Sequence, residues 1–141
     1  MPPDSPDPQD SRPAPRDRFD ALLEQVLAAL PDELRRLLEE VPIVVEDAPT
    51  PEDMHRLGVR RRDALCGLYT GIPLTRRSVE HSGVLPDVIR IFRRGILAAA
   101  ADRRGHVTEG ALLRQIRVTV LHEIGHHFGL GEEDLRRYGY G

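Results

Sequence analysis

The 141 residues, 40% hydrophobic and 30% charged, are the size of one domain, which excludes two packed ones. The 20 basic residues, all arginine, are outweighed by 23 acidic ones, and a net charge of −3 is not the balance of a nucleic-acid-binding protein. No segment approaches the ~18 uninterrupted apolar residues of a membrane span, the N-terminus carries no signal-like apolar stretch, and the lone Cys66 forms no internal disulfide, so a cytoplasmic protein without nucleic-acid or membrane partners is expected.

The first fifteen residues hold six of the twelve prolines and no aliphatic side chain larger than Ala14. They read as a disordered tail, leaving residues 16–141 as the single folded domain. From Phe19, Leu22, Leu23, Val26, Leu27 and Leu30 recur at helical spacing, with Asp17 or Asp20 near the start and Pro31 closing the run. Pro31-Asp32-Glu33 opens a second helix, whose apolar stripe Leu34, Leu37, Leu38 and Val41 lasts until Pro42. Ile43–Glu46 reads as a short strand. Thr50 caps a helix from Pro51 to Leu57, and Gly58 ends it.

Leu65–Leu74 contains two glycines and a proline and suits an irregular or edge strand, in which Cys66 is a buried structural thiol. Val88–Phe92 is the stronger strand. A short helix over Gly95–Ala101, a turn at Asp102–Gly105, a long helix over Glu109–Phe128 stopped by Gly129, and a last helical segment over Glu132–Tyr138 complete the order. Helices with a small sheet make the fold class α+β. The arginine groups 60–62, 76–77, 93–94 and 103–104 read as solvated surface.

The long helix ends in His122-Glu123-Ile124-Gly125-His126, an H-E-x-x-H motif. Residues four apart differ by about 40° around a helix, so both imidazoles can face one ion. Glu123 is rotated about 100° from His122, out of ligation but within reach of a water. His127, some 140° round, is a poor ligand and a partner for a nearby carboxylate. A turn at Gly129 brings the chain back to Glu132, which can complete a His₂Glu set for zinc with a fourth position for water; Glu133 or Asp134 are alternatives. Tyr138 or Tyr140 are candidates for stabilising an oxyanion. His55, His81 and His106 read as surface residues.

His122 to Leu135, HEIGHHFGLGEEDL, resembles the zincin metallopeptidases. In its H-E-x-x-H-x-x-G-x-x-E form it is similar to the minimal zincin-fold family of short bacterial proteins, and the likeness extends upstream through residues 116–121 and more weakly to 67–74. The resemblance implies a small twisted mixed sheet packed on the long helix, with an edge strand above the metal that aligns an extended peptide. It implies His122, His126 and Glu132 as zinc ligands, Glu123 as general base, and a peptide or protein substrate. Two features depart from larger relatives: Glu132 stands where metzincins have a third histidine, and only nine residues follow it, too few for a second cleft wall. The alternative function is a non-catalytic metal-binding or protein-interaction module.

Overall fold

The computed structural model describes residues 15–70 and 87–137. Their elements are α1 (Pro15–Ala28), α2 (Asp32–Leu38), β1 (Ile43–Glu46), α3 (Pro51–Leu57), β2 (Gly67–Thr70), β3 (Val88–Phe92), α4 (Arg93–Ala100), α5 (Glu109–Phe128) and α6 (Glu132–Arg137). The three strands form one mixed sheet in the order β1-β3-β2, parallel between β1 and β3 and antiparallel between β2 and β3. The α+β expectation holds, and the long helix packs on the small sheet.

The alternation of β3 organises the layers. Ile89 and Ile91 are fully buried and join Ile116, Val120 and Ile124 of α5 with Phe19, Leu22, Leu23 and Val26 of α1 in one core. Arg90, between the two isoleucines, turns to the other side of the sheet. Its guanidinium meets Glu46 of β1 at 2.7 Å and Asp53 of α3 at 2.6 Å. These contacts tie α3 to the sheet. Within α3, Thr50 and Asp53 exchange hydrogen bonds as a capping box, and Gly58 ends the helix at φ 70°.

Two helix starts lie earlier than the sequence pattern indicates. α1 begins at Pro15, where a proline suits a first helical turn, and Arg16 is bonded to Asp47 at 2.6 Å. α4 begins at Arg93 rather than Gly95, directly from the last strand residue, because the Arg94 N–H donates to the Asp47 carbonyl at 2.9 Å. Arg93 also departs from the solvated-surface expectation. Its guanidinium is mostly buried and binds Asp20 of α1 at 3.0 Å and Asp47 at 2.9 Å, so it joins α1, α4 and the loop after β1. Gly95 permits a close crossing: a Cβ there would lie 1.7 Å from the Leu65 carbonyl oxygen.

Candidate metal centre

The length of α5 is set locally at both ends. Thr108 Oγ1 accepts from the Ala111 N–H, and Gly129 takes φ 67° while the Leu130 N–H returns to the Gly125 carbonyl. The motif therefore occupies the last two turns of the helix. His122 and His126 stand exposed on one side, with ring centroids 4.3 Å apart and planes at 59°. Glu123 is only 5% exposed. One potential ligand atom from each of the three lies within 4.8 Å of the others. The His126 Nδ1 to Glu123 Oε2 separation is 3.7 Å, too long for a hydrogen bond.

Strand β2 is what buries Glu123. Phe92 N–H donates to the Cys66 carbonyl at 2.8 Å, and antiparallel pairing alternates, so Gly67 and Tyr69 turn their backbone groups away from β3. The Tyr69 N–H is thereby directed to the Glu123 carboxylate and bonds it. Gly67 lets the strand lie against the helix at that point. A Cβ on Gly67 would be 3.1 Å from Glu123 Cγ, 3.1 Å from Thr119 Cγ2 and 3.2 Å from the Arg90 carbonyl oxygen.

Burial pushes the Glu123 carboxyl up to about 7, against the lowering effect of the Tyr69 N–H. Burial, and next the neighbouring His122, hold His126 below the usual histidine value. A neutral imidazole is the form that ligates metal. Glu123 Oε2 is buried with no hydrogen-bond partner, an arrangement that costs free energy unless a cation or donor comes to it. Two imidazoles and an under-bonded carboxylate are a nitrogen and oxygen donor set that fits zinc.

Beside these residues runs an open groove of about 540 Å³ between α5, β2 and the chain after α3. Cys66 lines it, half-buried, its thiol held protonated by burial and 3.9 Å from Gln115 Nε2. His127 is 1% exposed, its ring 5.0 Å from Tyr69 and 4.2 Å from Phe128. It lies inside the fold, apart from the exposed pair.

Glu132 is the first residue of α6, one short turn past Gly129. The side chains of Glu132 and Asp134 lie outside the described residues, as do Tyr138, Tyr140, His81 and the 71–74 part of the weaker resemblance. Glu133 is exposed, and so are His55, in the last turn of α3, and His106, ahead of α5. The contact of Gly67 and the Tyr69 N–H with Glu123 was not anticipated from sequence. The signal for it was a glycine inside a four-residue strand, which marks a close backbone approach.

Among the described residues no helix is long and apolar enough to cross a membrane. No curated protein matches the sequence. The profile of the zincin-like metallopeptidases, a family typified by a metal, usually zinc, matches residues 38–140, which include all three strands and the whole of α5 and α6. Two imidazoles one helical turn apart, a buried glutamate between them and a strand at the edge of the described sheet over that glutamate are in keeping with this match, and the chain belongs to the zincin-like metallopeptidase family.

Proposed function

We propose that the protein is a zinc-dependent peptidase in which His122 and His126 hold the metal, Glu132 completes the ligand set, and Glu123 is the general base. The observation that carries this reading is the Glu123 carboxylate, buried under β2, with Oε2 unsatisfied beside two exposed imidazoles. Zinc bound there supplies a Lewis acid that polarises the scissile carbonyl and acidifies a water.

The remaining work falls to the chain. Glu123 accepts the proton of the attacking water at Oε2 and delivers it to the nitrogen of the leaving amine, so it returns to its starting state. Without metal, burial pushes this carboxyl up to about 7; a cation bound beside Oε2 would favour its ionised form, the form that accepts the proton. The Tyr69 N–H holds the carboxylate in place, and β2, an edge strand in the described sheet, offers an extended peptide a strand to lie beside.

The test compares the wild type with Glu123→Gln after metal analysis of both. The expected result is about one equivalent of zinc in each, with hydrolysis of a mixed peptide library in the wild type and a loss of at least about a hundredfold in the variant. Zinc retained in two equally silent proteins would instead favour the non-catalytic metal-binding or interaction module. Substituting Glu132→Gln, Glu133→Gln and Asp134→Asn separately assigns the third ligand. Only Glu132→Gln is expected to weaken zinc affinity strongly.

A further inference from the structure

A second cleft is built from the same stretch of chain that supplies a wall of the metal groove. Leu57, Val59, Ala64 and Leu65 line the groove, whereas Arg61, Arg62 and Asp63, between them in sequence, form with Arg94 and Leu97 of α4 an open cleft of about 470 Å³. The two share no lining residue. The walls of the cleft are fixed relative to each other, because the chain at Leu65 crosses so close to α4 that a Cβ on Gly95 would meet the Leu65 carbonyl oxygen at 1.7 Å.

Its charge is unbalanced. Three arginines line it against one aspartate, and Asp63 is already paired with Arg61 at 2.9 Å. Arg62 and Arg94 are exposed and have no ion pair or side-chain hydrogen bond among the described residues. Arg93 differs, since its guanidinium is taken up by Asp20 and Asp47, and Asp47 also holds Arg16. Arg94 stands in the first turn of α4, which contains no acidic residue. Its charge therefore lies beside the positive end of the helix with nothing to offset it, and an anion in the cleft would relieve that repulsion.

Leu97 bears on the kind of anion. It follows Arg94 by three residues on the same side of α4 and is 37% exposed. Inorganic phosphate would leave that apolar surface in water, and a nucleic-acid strand would approach against a net charge of −3. A polypeptide presents carboxylates and an apolar side chain together. We infer that the cleft between residues 61–63 and α4 is a docking site for an acidic segment of a partner protein, with carboxylates on Arg62 and Arg94 and a neighbouring apolar side chain against Leu97. This does not rest on the peptidase reading, because no residue of the cleft belongs to the metal centre.

The test follows backbone amide shifts of the full chain on adding a capped peptide with aspartates on both sides of one leucine, its asparagine counterpart, its alanine-for-leucine counterpart, or inorganic phosphate. The expected result is saturable movement at Arg61, Arg62, Arg94 and Leu97 with the aspartate peptide, binding that weakens as salt is raised, and affinity at least about tenfold lower for the asparagine peptide. The alanine counterpart should bind severalfold more weakly. Arg62→Glu and Arg94→Glu should each weaken binding at least about tenfold, while Arg104→Glu, in the turn after α4 and outside the cleft, leaves it unchanged. Arg94→Glu should do so with Tm retained or raised, since an acid suits a first helical turn, and Arg62→Glu, outside the helices, gives the same loss independently of α4. Absence of movement at the cleft, equal binding of the asparagine peptide, or phosphate acting as strongly as the aspartate peptide overturns the inference. So does movement of the cleft amides without peptide, either on raising the protein concentration, which would make a second copy the occupant, or on substituting Asp4→Asn, Asp7→Asn and Asp10→Asn together, which would make it the chain's own N-terminal segment.

Discussion

Gly67 lies close against Glu123, the general base of the proposed reaction. The glycine has no Cβ where one would press on Glu123 Cγ, so the carboxylate can lie under β2 and accept the Tyr69 N–H. Gly67→Ala should therefore displace Glu123 by a few tenths of an ångström, lowering kcat about tenfold while zinc content stays unchanged. Steady-state kinetics beside metal analysis checks this, and an alanine variant with full kcat would show that the contact has slack. The same burial has a cost without metal. Above both its ordinary value of 4.5 and its folded value of about 7, the metal-free protein must desolvate a charge. Glu123→Gln, studied metal-free at pH 8, should be more stable than the wild type by about 1–3 kcal/mol in denaturant melts. Equal or lower stability would mean that the carboxylate is already compensated in the absence of metal.

At the scale of elements, the groove wall formed by Leu57 is held by a charge network on the opposite side of the sheet from the core. Arg90 links Glu46 of β1 with Asp53, and Asp53 also caps α3. The Arg90 guanidinium holds the Asp53 carboxyl far below its ordinary value near 3.8, and Glu46 and Asp53 raise the guanidinium in turn. Because the folded value is depressed, this stabilisation is fully present above about pH 4 and is lost as pH falls through the folded value. Asp53→Asn should cost about 1–3 kcal/mol at pH 7 and progressively less as the pH drops from 5 towards 2, measured by urea unfolding across that range. A pH-independent difference would show that the cap, and not the ion pair, carries the effect. Sequence showed α3 almost to the residue, since Thr50, Pro51 and Gly58 are local signals at its two ends. It did not show the Arg90 strut, whose partners are 44 and 37 residues away.

Across the whole molecule, what was legible follows the range of the interactions. The strands, the long helix and the exposed histidine pair rest on local periodicity, capping and spacing, and the fold class follows from their order. The start of α4 and the burial of Arg93 depend on Asp20 and Asp47, and the need for glycine at position 67 depends on a helix fifty residues on. Such contacts leave no periodic trace. The core these elements form joins Phe19, Ile89, Ile91, Ile116, Val120 and Ile124 and includes none of the candidate metal ligands. That separation predicts how the protein responds to chelation. Zinc fingers unfold without metal because ligation supplies their folding energy; here the apolar core already supplies it. Removal of zinc should leave the far-UV circular dichroism at 25 °C unchanged while activity disappears. Zinc at about 100 times its Kd should add roughly 2.7 kcal/mol to stability, which for a domain of this size raises Tm by about 10 °C. Loss of helical signal on chelation at 25 °C would mean that the metal organises the fold, and the exposed pair on α5 would then be a structural site.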